Sequence, residues 1–329
     1  MIYYKNGPDS DPFAFIFTDP GWLEDYDPPR DFPFWVNTEP TNICNLDCIF
    51  CARQMYTGRP GRMEFSLMQK ITDEVASYGG SIRMAGWGEP LLHPEIIEHV
   101  AYIKSKGVPL KIYTNGLLLT EDQMRAFVAA GLDDLQFSMQ GLNAEQYHFN
   151  RRKGDYGKLR EKITLAHDVR GDAKRPFLSI LTSALKSEFE AADPQAFIDE
   201  WSALADKVAV DFTNLNFVRH MDRVKPLLDD HAMDLVHRPC VDIFLAIEVA
   251  CNGDISKCGQ DATHHPEHLL GNVAEMSIHQ AWHSAKMNQH RDDVGRHTRH
   301  DTKAVCRNCY PNTDKYDVFK AAAAQKATA

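Results

Sequence analysis

Short apolar runs alternate with stretches of helical period between residues 34 and 212, and the alternation repeats six times. Phe34-Trp35-Val36-Asn37 reads as a strand, and Leu67, Ile71, Val75 and Tyr78 form the apolar stripe of a helix N-capped by Ser66. Ile82-Arg83-Met84-Ala85 is the second strand; Pro94 then opens a helix with Ile96, Ile97, Val100 and Ile103 on one face. Leu110-Lys111-Ile112-Tyr113 follows as a strand, and Thr120-Glu121 caps a helix carrying Met124, Phe127 and Val128 that stops near Gly131. Leu135-Gln136-Phe137-Ser138 is the fourth strand, and a helical stretch from about Tyr156 to Val169 leads to the fifth, Phe177–Leu181. Asp193-Pro194 starts a helix with Phe197, Ile198, Trp201 and Leu204 on one side, and Val208–Phe212 is the sixth strand.

Six strand–helix units in succession predict an α/β fold with a parallel sheet and right-handed crossovers. They are too few for an eight-unit closed barrel, so the expectation is an open, partial (βα) barrel of six strands. Ligands bind at the C-terminal ends of such strands. Four polar or glycine-rich segments fall there: the loop after Asn37, Gly86-Trp87-Gly88-Glu89, Thr114-Asn115-Gly116 and Ser138-Met139-Gln140-Gly141.

The pattern changes at both ends. Residues 1–33 hold six of the 17 prolines and read as an extended arm. Residues 34–224 form the core; 225–316 read as a separate small module holding five of the eight cysteines, and 317–329 as a low-complexity tail. Within the module, Asn252-Gly253 is a two-residue hairpin signal joining Leu245–Cys251 to Asp254–Cys258. In that register Cys251 opposes Asp254 and Ile247 opposes Cys258. Cys251 and Cys258 then share one face about 13 Å apart, with Glu248 on the other.

Composition narrows the class. Charged residues at 25% and hydrophobic residues at 43% describe a globular chain. The net charge of −10 gives no electrostatic reason for a nucleic-acid partner, and no apolar run is long enough to span a bilayer. The first residues lack the apolar core of a secretory signal, so the eight cysteines point to a reducing, cytoplasmic setting and to metal or redox use.

Cys44, Cys48 and Cys51 are spaced three residues, then two, on the loop after the first strand, with polar Asn45 and Asp47 between them. Three thiolates so placed can each hold a corner iron of a 4Fe–4S cube and leave the fourth iron open. Zinc also takes closely spaced thiolates, but a structural zinc needs a fourth protein ligand. Glycines at the end of the next strand let the backbone approach a ligand closely.

With Phe50 before the last cysteine, then Gly88-Glu89-Pro90, Tyr113-Thr114-Asn115-Gly116 and Phe137-Ser138-Met139-Gln140-Gly141, the chain resembles the radical S-adenosylmethionine (SAM) enzymes over roughly residues 34–220. The resemblance implies that Cys44, Cys48 and Cys51 hold a 4Fe–4S cluster whose open iron chelates SAM. It further implies that Gly88 and Glu89, Asn115, and Ser138 with Gln140 contact SAM, that Phe50 packs near the adenine and that Arg151 meets the carboxylate. Trp87 stands where the family has a glycine, and Gln140 where an aspartate is frequent.

Cys240, Cys258, Cys306 and Cys309 form the remaining set, ending in a Cys-x2-Cys pair. Spacing alone fits a tetrahedral zinc or a second, fully ligated cube equally. The set resembles the twitch module, the shortened form of the SPASM extension, as in the neomycin C epimerase and butirosin-pathway deoxy-scyllo-inosamine dehydrogenase families. That likeness implies a β-hairpin plus helix around one auxiliary 4Fe–4S cluster. Cys251 is left over: a small buried thiol, or the hydrogen-atom donor of the epimerase branch.

The resulting expectation is a radical SAM epimerase acting on a sugar or aminoglycoside-type substrate. It would use SAM, two 4Fe–4S clusters, an external one-electron donor of flavodoxin or ferredoxin type, and Cys251 as the catalytic residue. A dehydrogenase of a secondary alcohol, a peptide-modifying maturase and a zinc-stabilised binding protein are the alternatives.

Overall fold

The computed structural model describes residues 3–5, 31–56, 58–213, 240, 242–259, 266 and 268–293. Six parallel strands form its centre: β2 (Trp35–Thr38), β3 (Ser81–Met84), β4 (Leu110–Thr114), β5 (Asp134–Gln140), β6 (Phe177–Ala184) and β7 (Lys207–Phe212). They stand in sequence order, as successive crossovers of one hand require. β1 (Tyr3–Lys5) pairs antiparallel with β7 and covers the far edge. Of the proline-rich arm, residues 6–30 lie outside the described residues, as do the tail and the boundary placed at 224/225.

Helices α1 (Phe65–Tyr78), α2 (Ile96–Ser105), α3 (Glu121–Ala130), α4 (Ala144–Asn150), α5 (Tyr156–Arg170), α6 (Lys186–Ala191) and α7 (Pro194–Trp201) connect the strands. The caps explain their ends. Thr120 and Gln123 form a reciprocal capping box, and the Asn143, Asp155 and Asp193 side chains accept first-turn N–H groups. α1 differs from expectation: Glu64 is its N-cap, and Ser66 lies inside the first turn. The short helices α4 and α6 carry too few turns for a periodic signature.

Alternation along each strand divides the sheet into two chemistries. Val36, Ile82, Met84, Leu110, Ile112, Leu135, Phe137, Leu178, Ile180, Val208 and Val210 are buried in the apolar core. The opposite face is polar. At its base Lys111 pairs with Asp134 at 2.7 Å, and Ser179 donates to Asp134 at 2.7 Å. Further along, Asn37, Arg83, Tyr113, Ser138 and Gln140 line a cavity.

The C-terminal hairpin is not set apart from this sheet. β8 (Ala246–Val249) pairs parallel with β2, matching Trp35 to Ala246 and Asn37 to Glu248, and continues through β9 (Asp254–Ser256) to β10 (Leu269–Asn272). The described strands thus form one ten-stranded sheet. α8 (Ile278–Trp282) is tied to α1, because Glu74 accepts the N–H groups of Ile278 at 3.0 Å and His279 at 2.8 Å. This places a carboxylate at a helix N-terminus, where the dipole favours it. α9 (Ala285–Arg291) follows, with the buried Arg291 guanidinium stacked on Trp282.

Candidate active site

All three N-terminal cysteines line the same cavity of about 520 Å³. Their loop is fastened on two sides. Ile49 N–H donates to Asn150 O at 3.0 Å and Asp47 N–H to Arg152 O at 3.2 Å. On the other side Glu89 N–H donates to Ile43 O at 2.8 Å, and Asn115 Nδ2 donates to Asn45 Oδ1 at 2.9 Å. Gly88 makes the second contact possible: a Cβ there would lie 1.8 Å from the carbonyl oxygen of Thr41.

Burial pushes the thiols of Cys44, Cys48 and Cys51 above their ordinary range. Arg151 opposes this at Cys48, and backbone N–H groups oppose it at Cys44 and Cys51. Ligation to iron therefore has to release these protons.

The sequence-predicted SAM residues converge on the triad. Phe50, Gly88, Glu89, Asn115, Ser138, Gln140 and Arg151 all line the cavity. Glu89 is buried, and its carboxylate accepts from Thr114 Oγ1 at 2.6 Å, Asn115 N–H at 2.7 Å and Leu91 N–H at 3.1 Å. Burial raises its pKa, and those three donors oppose the rise. Glu89 thereby locks the ends of β3 and β4 together. Arg151, the C-cap of α4, is buried; its Nε donates to Gln140 Oε1 and its guanidinium lies 5.9 Å from the Phe50 ring centre. Its neighbours Arg152 and Lys153 are exposed.

The hairpin wall corrects the expected register. Glu248 pairs with Ser256 and Val249 with Ile255, while Ala250 and Asp254 close the turn through Ala250 N–H to Asp254 O at 2.9 Å. The loop has three residues, Cys251-Asn252-Gly253, rather than two. Gly253 N–H donates to Ala250 O at 2.9 Å and Gly253 takes φ +86, the left-handed conformation that ends a three-residue hairpin loop. A one-residue slip reverses every side chain. Cys251 consequently leaves the cavity wall and packs in the apolar core near Asn42, Glu39 and Gly61. Burial and the neighbouring Glu39 push its thiol up to about 12.

Glu248 takes the place in the cavity that the predicted register denied it. Its side chain bonds to Asn37, and a Cβ on Gly259 would come within 2.4 Å of its carboxylate. Burial, reinforced by Glu39, raises its pKa well above the ordinary carboxylate value. Sequence parity held a usable sign. Trp35 and Asn37 face the polar side, and a strand paired with β2 in register puts Glu248 there too. Cys258 lines the cavity beside Gly259, and Cys240 packs half-buried against the core. Cys306 and Cys309 lie outside the described residues.

Two family profiles match the chain: the Radical SAM superfamily over residues 38–182, and the SPASM iron–sulfur cluster-binding domain over residues 240–310. Residues 38–182 are thus a radical SAM domain, followed over 240–310 by a SPASM domain. This sets aside the zinc-stabilised binding protein.

Among curated relatives, a probable GTP 3′,8-cyclase of Methanothermobacter thermautotrophicus is 37% identical over 131 residues, 39% of this chain and 42% of that protein. The mycofactocin maturase MftC of Mycobacterium ulcerans is 27% identical over 189 residues, 57% of this chain and 48% of the maturase. The matched stretch thus spans less than half the length of either relative. The crystal structure of BtrN in complex with AdoMet and 2-DOIA superposes with a TM-score of 0.59 at 19% identity, covering 85% of this chain and 94% of BtrN. At that identity the likeness is one of fold.

The radical SAM domain implies a 4Fe–4S cluster and SAM, and the SPASM domain auxiliary iron–sulfur chemistry. The donor set fits: three thiols share one cavity, with a polar wall toward β4 and β5 and Cys258 on the facing hairpin. Among the described residues no helix is long and apolar enough to cross a membrane.

Proposed function

We propose that this radical SAM enzyme oxidises a hydroxyl-bearing carbon of a small, carbohydrate-like molecule, as a dehydrogenase. The observation that carries the reading is the placement of Glu248 in the cavity wall against Gly259, next to Cys258, while Cys251 packs on the other side of the hairpin. Bound, the first cluster and SAM supply a 5′-deoxyadenosyl radical for hydrogen-atom abstraction, and the auxiliary cluster supplies a one-electron acceptor. Cys44, Cys48 and Cys51 hold the first cluster. Gly88, Glu89, Asn115, Ser138, Gln140, Arg151 and Phe50 seat SAM. Cys240 and Cys258, with Cys306 and Cys309, hold the second cluster.

Glu248 takes the substrate's hydroxyl proton. A carboxylate whose pKa is raised by burial is a stronger base than an ordinary one, and Asn37 keeps its side chain aimed. The carbon thus gives up a hydrogen atom, the hydroxyl a proton, and one electron leaves, which balances an alcohol against a carbonyl. The polar side chains of Asn37, Arg83, Tyr113 and Lys257 around the same space suit a substrate bearing several hydroxyl or amino groups. An external flavodoxin- or ferredoxin-type protein would deliver the priming electron in a cytoplasmic setting.

Inversion by hydrogen return from Cys251 is the weaker reading, because that thiol does not line the cavity. Peptide modification has one specific support, the match to MftC over 189 residues. Anaerobic turnover in D2O with aminocyclitols, aminosugars and a synthetic peptide separates the three. Loss of two hydrogens from a cyclitol or sugar, abolished by Glu248→Gln and retained in Cys251→Ala, supports oxidation. Deuterium at an inverted carbon, lost in Cys251→Ala, would overturn it, and so would turnover of the peptide alone.

A further inference from the structure

The segment that leaves Glu89 runs through a short 3-10 turn, Pro90–Leu92, to His93 and then into α2. It places three metal-ligating side chains together, apart from the residues that line the polar cavity. One donor atom from each of His93, Glu95 and His99 lies within 4.8 Å of the other two. His99 is fully buried, and neither of its ring nitrogens has a hydrogen-bond partner. A neutral imidazole carries one donor and one acceptor, and leaving both unmet in the interior costs roughly 1–3 kcal/mol per group. Such a group calls for an explanation.

His93 supplies a second observation. Its Nε2 contacts Met63 O at 3.0 Å, so Nε2 carries the proton and Nδ1 the lone pair. That lone pair meets only the Glu95 N–H, at 3.2 Å. A backbone carbonyl that fixes the tautomer through the outer nitrogen is the usual support of a metal-ligating histidine. The two imidazoles lie face to tilted face, 4.4 Å between ring centres, with Phe65 stacked on the outer side of His99 at 5.6 Å. Glu95 is exposed, and although it is the N-cap residue of α2 its carboxylate makes no capping bond. Burial lowers the pKa of His93; the Met63 carbonyl, Glu95 and Glu64 oppose the shift and Arg62 reinforces it.

We propose that His93, Glu95 and His99 bind a divalent transition ion, zinc by preference, as an open site of three protein ligands distinct from both clusters. Two imidazoles and a carboxylate are zinc's ordinary nitrogen and oxygen ligands at about 2.0–2.2 Å, and water completes the tetrahedron. Tetrahedral donors at that range stand about 3.3 Å apart, so the present spacing closes by roughly 1.5 Å at most. The exposed Glu95 side chain is free to rotate by that amount. The ion clamps the far end of the segment whose near end is Glu89, and so stiffens the wall of the SAM cavity.

The test uses the anaerobically reconstituted full chain, desalted, given one equivalent of zinc and desalted again. The expected result is one zinc per chain beyond the iron, with an X-ray absorption shell of nitrogen and oxygen only. His99→Phe, which fills the apolar slot beside Phe65, should lose that zinc while iron and sulfide stay unchanged. Glu95→Ala, a surface change that removes no capping bond, should weaken zinc binding at least about tenfold, the lower end of what losing even an outer-shell partner costs. Zinc retained equally by both variants, a shell containing sulfur near 2.3 Å, or no zinc retained by the wild type would each overturn the proposal.

Discussion

Replacing Gly88 by alanine tests how the cysteine loop is held. The added Cβ would stand 1.8 Å from Thr41 O, 2.6 Å from Thr41 C and 2.9 Å from the Asn42 Cα. All three are backbone atoms, so no rotamer change relieves the overlap. An ordinary contact is at least 3.4 Å, which forces the two loops apart by about 1.6 Å. The neighbouring Glu89 N–H to Ile43 O bond, now 2.8 Å, would then open beyond hydrogen-bonding reach. Overpacking costs about 1–3 kcal/mol and the lost bond about 1 kcal/mol. A total near 2–4 kcal/mol corresponds to a drop in Tm of about 3–6 °C for a chain of this size. The more telling assay is iron: Cys44 lies only two residues beyond Asn42, so Gly88→Ala should reconstitute with clearly less iron at the first cluster, read by its visible absorption and by EPR of the reduced state. A variant with wild-type Tm and full iron would refute the view that this contact sets the loop.

Glu89→Gln puts an amide nitrogen against either Asn115 N–H or the Leu91 N–H, whichever way it flips; a loss of about 1–3 kcal/mol in thermal unfolding is expected. Glu248→Gln should lower turnover about 10²- to 10⁴-fold. The wild-type rate should climb with pH along a limb displaced above the ordinary carboxylate range, and the variant should lack that limb. Its stability should move the other way. A carboxyl whose folded pKa is raised loses stability as pH rises from its unfolded value to its folded one, so the neutral amide should raise Tm at neutral pH and give no gain in acid. Arg151→Met keeps apolar contact with Phe50 but loses the guanidinium held by Gln140. SAM affinity measured by equilibrium dialysis should fall about 10- to 100-fold, the worth of a charged hydrogen bond.

The strands and the cavity's cysteine side were legible because each rests on a local signal. Apolar alternation placed β2 to β7, and the triad and the glycine-rich strand ends needed only their position to be brought together. The hairpin was different. Asn252-Gly253 fits a two-residue turn as a dipeptide, yet the preceding Cys251 joins the loop, and the outcome depends on β8 docking beside β2. That contact links residues more than two hundred positions apart and has no local trace. One residue of slip exchanged the roles of Cys251 and Glu248. α4 was missed for another reason: its seven residues are fixed by the Asn143 cap and by burial of Tyr147 and Asn150, not by a periodic stripe.

The parallel pairing of β8 with β2 also bears on how the chain can be divided. If the polypeptide ended before residue 240, β2 would be left with an open row of amides and carbonyls, among them Trp35 N–H and Glu39 N–H, which now bond to Leu245 O at 3.1 Å and Val249 O at 2.9 Å. An uncovered edge of that kind is a template for pairing with another copy. The cluster-bearing end of the chain is therefore also its guard against self-association, and exchanging it for another module would require a donor that brings its own strand for β2.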